Sequence, residues 1–95
     1  MDETTLTNAL DTVKTALNRL DGNLDAYLTH RIKAACEYLA GQGIHLDPEN
    51  SSADFMLIVD TAVWQYNSRD ANSGTPEHLR ERIRKRWLLE RGDAE

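Results

Sequence analysis

Three histidines, one cysteine and a few clustered carboxylates and serines are the residues of this 95-residue sequence that could do chemistry. A metal site needs several His, Cys, Asp or Glu side chains converging on one point, usually visible as short ligand spacings. His30, His45 and His78 fall in a helix, a loop and a helix start, with no ligand-type spacing and no cysteine partner. They read as separate surface or half-buried imidazoles. Cys36 lies at the edge of an apolar face and reads as a buried, inert thiol; alone, it forms no internal disulfide. Asp47 and Glu49 could be an acid/base pair, but the proline between them makes a turn that accounts for both. Ser51 and Ser52 have no base near them in sequence and a helix to cap. Gly41 and Gly43 follow a helix, whereas a phosphate-cradling loop opens one. No catalytic residue, no cofactor-binding residue and no metal ligand is assigned, and a non-enzyme is expected.

Charge is the stronger signal. The chain carries a net charge of −5, which opposes non-specific adhesion to DNA. Residues 76–91 hold six basic side chains (Arg80, Arg82, Arg84, Lys85, Arg86 and Arg91) against Glu77, Glu81 and Glu90, a local balance of +3 that leaves −8 on the rest. A basic terminal helix could read a DNA groove. Against that, the loop before it is too long for a helix-turn-helix turn, its apolar stripe is spent on a core, and the other helices would face phosphate with negative charge. Its flanks suit carboxylates on a protein.

Residues 54–69 organise the rest. At ~100° per residue, Phe55, Met56, Ile58, Val59, Ala62, Val63 and Tyr66 share one broad side of a helix. An arc that wide touches several neighbours. Leu57 and Trp64 fall on the other side with Asp54, Asp60 and Thr61, either under a loop or a fourth helix or against another chain. Ser51 followed by Asp54 resembles a capping arrangement for this helix. Upstream, Leu6, Leu10, Val13, Leu17 and Leu20 form a narrow seam on a first helix that starts between Thr5 and Leu10, with Thr5, Thr7 and Asn8 as alternative N-caps. Asp21-Gly22-Asn23 breaks it. A second helix follows over about 24–40, with Leu24, Leu28, Ile32, Ala35 and Leu39 as its stripe. Arg31 lies close to that stripe, its methylenes on the core and its head outward, or else paired with Asp60 or Asp70. Gly41-Gln42-Gly43 supplies an αL stop. Ile44 and Leu46 plug the end of the bundle before the turn at 47–50. After a polar loop over 69–74, Thr75 caps and Pro76 opens the last helix, whose inward stripe is Leu79, Ile83 and Trp87. Residues 92–95 read as a frayed tail. The expected fold is one all-α domain over residues 1–95, a small four-helix bundle with helices at about 6–19, 24–40, 52–69 and 76–91 and the apolar third helix at its centre.

The run Phe55-Met56-Leu57-Ile58-Val59-Asp60-Thr61-Ala62-Val63-Trp64-Gln65-Tyr66-Asn67-Ser68-Arg69-Asp70, followed by Gly74-Thr75-Pro76-Glu77-His78-Leu79-Arg80, resembles the head–tail connector proteins of tailed bacteriophages. These small helical adaptors carry an Ala-x-Trp/Leu-x-Tyr element, an arginine, a short glycine-containing polar loop and Pro-x-x-Leu-Arg opening the last helix. Leu10-Asp11-Thr12-Val13-Lys14-Thr15-Ala16-Leu17 is similar to their first helix, Leu-Asp-x-Val-Lys-x-x-Leu. The short Asp21-Gly22-Asn23 break and the density of arginine after Leu79 depart from the family pattern.

The resemblance implies a structural virion protein. Roughly a dozen copies would form a ring beneath the portal, link capsid to a tail-side neck protein and let DNA pass, without a membrane or a cofactor. Assembly would take place in the host cytoplasm, and the protein would reside in the virion neck. The charge split gives this a basis of its own, since a head-to-tail interface needs two unlike patches. The expected interface residues are Arg80, Arg82, Arg84 and Arg86, with Leu57 and Trp64 as an apolar anchor. The alternative is a small helical regulator that binds DNA or a host protein.

Overall fold

The computed structural model describes residues 1–19, 21–68 and 74–91, and four helices account for most of them: α1 (Glu3–Leu17), α2 (Asp25–Ala40), α3 (Ser52–Asn67) and α4 (Glu77–Arg91). There is no strand among the described residues. α3 packs against each of the other three helices, and α1 and α2 also touch each other. The protein is a small all-α bundle with α3 at its centre. Leu20, the 69–73 segment with Asp70, and the 92–95 tail lie outside the described residues.

α1 starts earlier than the sequence suggests. Asp2 is the N-cap, its carboxylate accepting the Thr5 N–H at 2.7 Å, so Thr5, Thr7 and Asn8 all lie inside the helix. The acidic residues Asp2 and Glu3 also suit the positive end of the helix dipole. The stop comes earlier too. Asn18 adopts φ 58°, Asn18 N–H donates to Thr15 O and Arg19 N–H to Lys14 O, which is the Schellman pattern with asparagine in place of glycine. Because α1 sits against both α2 and α3, its most buried residues are Ala9 and Val13, with Leu6, Leu10 and Leu17 half-buried beside them. Lys14 reaches Asp25 at 2.9 Å and ties the end of α1 to the start of α2.

α2 buries Leu28, Ile32, Ala35 and Leu39, the stripe its spacing predicts, with Leu24 half-buried at the N-cap. Its αL stop falls at one glycine only. Gly41 stays right-handed at φ −65°, and Gly43 turns the chain at φ 87°. A Cβ on Gly43 would stand 3.3 Å from Trp87 Nε1, so glycine is favoured there by conformation and by space. Ile44, 2% exposed, closes the bundle end as expected, with Leu46 half-buried against the same core.

α3 buries a wider arc than its apolar residues alone suggest, extended to the Asp54–Leu57–Thr61 side. Leu57, Ile58, Val59, Ala62 and Tyr66 are buried, and so are Asp54 and Thr61. Met56, expected inside, is 39% exposed, while Phe55 and Val63 are half-buried. The cause is α4. It covers the Asp54–Leu57–Thr61 side, so the buried arc runs from that side round to the α1 and α2 contacts, and Met56 falls in the remaining gap. Ser51 caps the helix, its hydroxyl accepting the Asp54 N–H at 3.1 Å.

α4 buries Leu79 and Ile83 and half-buries Trp87, as its stripe predicts. The Pro76 carbonyl accepts the N–H groups of Leu79 and Arg80. α4 begins at Glu77, which puts Pro76 and not the expected Thr75 at the N-cap position, and the Thr75 hydroxyl hydrogen-bonds to that of Tyr38, 2.8 Å away.

Candidate interaction surface on the fourth helix

The two basic flanks of α4 have different fates. The flank facing α3 is closed by ion pairs within the chain. Arg82 Nη1 lies 2.6 Å from Asp60 Oδ2, with both side chains partly exposed. Arg86 goes deeper: Nε donates to Asp54 Oδ1 at 2.8 Å and Nη2 to Asp54 Oδ2 at 3.2 Å, while Nη1 reaches Glu90 at 2.9 Å and Nη2 the His45 carbonyl at 2.7 Å. Asp54 Oδ2 also accepts the Asp47 N–H at 2.9 Å, so one buried carboxylate joins α3, α4 and the connecting loop. Glu90 closes the network by accepting from the His45 backbone N–H and by pairing with the His45 ring.

The electrostatics follow from this wiring. Burial pushes the Asp54 carboxyl up, but the bonds from Arg86 and from the Asp47 N–H outweigh it and hold the group below its ordinary range. The bond to Asp54 raises the Arg86 guanidinium further, and the His45 side chain, with Arg86, lowers Glu90. All three groups are therefore held in their charged forms at neutral pH.

The other flank is open. Arg80, Arg84 and Lys85 are exposed, and none makes an ion pair among the described residues. Arg80 and Arg84 rim a cleft of about 520 Å³ whose walls are Tyr38, Ile83 and Trp87, with Gln42 and Thr75 at its polar end. Trp64 lies behind Tyr38, the ring centroids 5.9 Å apart. A second, smaller cleft of about 230 Å³ lies between α3 and α4, lined by Leu57, Arg82, Arg86 and Leu89 among others, with Leu89 64% exposed.

Placement of the six expected interface residues is thus uneven. Arg80 and Arg84 face outward together. Arg82 and Arg86 turn inward onto Asp60 and Asp54, because α4 lies along the acidic side of α3. Leu57 is only 3% exposed at the α3–α4 junction: of the two placements its helical angle allows, it takes the one under a fourth helix, which leaves it little surface to offer as an anchor. Trp64 is half-buried against Tyr38 and the core. The structure adds Tyr38 and Trp87, the aromatic walls of the cleft, and Asp54, the buried acceptor. Asp54 reads in sequence as a capping residue, and no spacing rule connects it to Arg86 across 32 positions.

The remaining chemistry-bearing groups stay apart. No group of three or more His, Cys, Asp or Glu is placed to hold a metal among the described residues. Cys36 is half-buried, and burial raises its thiol pKa, which keeps it protonated and weakly nucleophilic. Arg31 does not pair with Asp60, which Arg82 takes; its guanidinium lies 5.6 Å from the centre of the Tyr27 ring. No described helix is long and apolar enough to cross a membrane. Searches against protein-family models, curated proteins and solved structures find no match.

Proposed function

We propose that this chain is a head–tail connector of a tailed bacteriophage, a non-enzymatic neck protein that closes into a ring of about a dozen copies under the portal. The observation that carries the reading is the open basic flank of α4, Arg80, Arg84 and Lys85, on a chain that is otherwise acidic. Two unlike patches on one small body are what a head-to-tail ring requires. The motif resemblance in α3 and α4 supplies the identity of the assembly. With Arg82 and Arg86 consumed internally, the contact to a neighbour or the portal falls to Arg80 and Arg84, with Trp87 and Tyr38 in the cleft behind them. In this reading the protein is monomeric or weakly associated until it meets the portal, a tail-side neck protein joins the other end, and acidic residues facing the lumen let DNA slide through.

The test is negative-stain imaging of the protein with and without a purified portal, together with DNA binding at low and high salt. Rings on the portal and no DNA binding at low salt are expected. Affinity for duplex DNA that falls log-linearly with salt, with no ring on any portal, would overturn the reading in favour of a DNA-binding regulator.

A further inference from the structure

We infer that the outer face of α4 docks antiparallel on the α4 of a second copy, through a charge row that complements itself. Glu77, Arg80, Glu81 and Arg84 are all exposed, share one side of the helix and together line a shallow depression of about 220 Å³. Within one helix this arrangement is unfavourable in two places. Glu77 and Glu81 are like charges one turn apart, and so are Arg80 and Arg84. The opposite-charge neighbours Glu77/Arg80 and Glu81/Arg84 make no ion pair in the chain.

A two-fold axis midway between Arg80 and Glu81 resolves the row. It sets Glu77 against the second copy's Arg84 and Arg80 against its Glu81, and repeats both pairs by symmetry. The four contacts fall within about 10 Å of helix, given a rise of ~1.5 Å per residue. A carboxylate pair one turn apart meets a guanidinium pair one turn apart, so the spacings match without distortion. A parallel arrangement sets like against like and is excluded by the same row. A second copy fits this face better than nucleic acid does, because two glutamates stand among the arginines and would meet phosphate. The face is the one the connector reading assigns to the ring, so dimer and ring compete for Arg80 and Arg84; the inference stands without that reading.

Sedimentation equilibrium of the full chain at ~50 mM and ~500 mM salt tests it. A dimer is expected at low salt, weakened at least tenfold at high salt. Arg84→Glu and Glu77→Arg should each weaken self-association at least tenfold, with helical circular dichroism unchanged. An equimolar mixture of the two variants should recover a heterodimer, since the two altered residues then face each other with opposite charge and the unaltered Glu77 and Arg84 form the other pair. The double variant should dimerise as the parent does. A chain that stays monomeric at low salt overturns the inference, as do single variants that dimerise like the parent or a mixture that gains nothing. Absence of the dimer with rings present on a portal rejects only this inference; a dimer at low salt, with no ring on a portal at dilutions where that dimer has dissociated, rejects only the connector reading.

Discussion

Arg86 grips both oxygens of Asp54, from Nε at 2.8 Å and from Nη2 at 3.2 Å, and it does so where the carboxylate is almost wholly removed from water. Asp54 has 4% of its side chain exposed and Arg86 has 21%, so water screens this pair far less than it screens Arg82 and Asp60. α4 owes much of its position to this contact, because α3 is its principal helical neighbour.

Removing the arginine leaves a buried carboxylate without its counter-ion. Arg86→Ala should destabilise the fold by about 3 kcal/mol, the lower end of the range for broken buried pairs because Arg86 is not fully desolvated. For a chain of this size that corresponds to a melting temperature lower by roughly 12–24 °C. Replacing both partners with apolar residues, Asp54→Leu with Arg86→Met, should recover all but about 1 kcal/mol, the remainder being the Asp47 N–H left without its acceptor. Thermal melts of the two variants decide it. An Arg86→Ala melt within a few degrees of the parent would show that the pair holds nothing.

The same network sets a pH dependence. Asp54 and Glu90 are both held below their ordinary values of 3.8 and 4.5 in the folded chain. A carboxylate lowered by folding stabilises the native state above its unfolded value, and that contribution disappears as pH falls through the folded value. Stability should therefore be level from neutral pH down to about pH 5, then fall as the pH drops below the ordinary carboxylate values. Urea midpoints measured at pH 7, pH 5 and pH 3 read this directly. In Arg86→Ala the decline between pH 5 and pH 3 should be shallower, and an equally steep decline would place its origin elsewhere in the chain.

The four helices were legible because apolar spacing and stop signals are local. Leu28, Ile32, Ala35 and Leu39 repeat at helical intervals and are the buried residues of α2; Leu79, Ile83 and Trp87 do the same in α4. What local reading could not supply was which side of α3 each neighbour would occupy. Counting apolar residues weights Met56 and Val63 toward the core, yet α4 docks through charge, drawn to Asp54 and Asp60 by Arg86 and Arg82. An acidic residue in a first helical turn looks like a cap, and only the fold shows it meeting an arginine from another helix. For the same reason the helical angle of Leu57, among acids, allows a place under a fourth helix or against another chain, and only the fold decides for the first. The split between closed and open flanks of α4 was hidden in the same way. Alternate positions of one basic helix look equivalent until the partner helix takes one side.

The buried arc of α3, which takes in Leu57 and leaves Met56 out, makes its own prediction and separates the apolar count from the observed packing. Leu57 is 3% exposed and Met56 is 39% exposed, one position apart on the same helix. Leu57→Ala should cost about 2–5 kcal/mol, since it removes buried methyl groups at a junction α4 cannot fully close over. Met56→Ala should cost less than about 1 kcal/mol, because the residue already faces solvent and alanine is the better helix former. Denaturant unfolding of the two variants gives both numbers, and unchanged slopes would show that the folded and unfolded states are otherwise the same. If Met56→Ala proved the more damaging of the two, α3 would bury Met56 in place of Leu57, and the Arg86–Asp54 grip could not form as described.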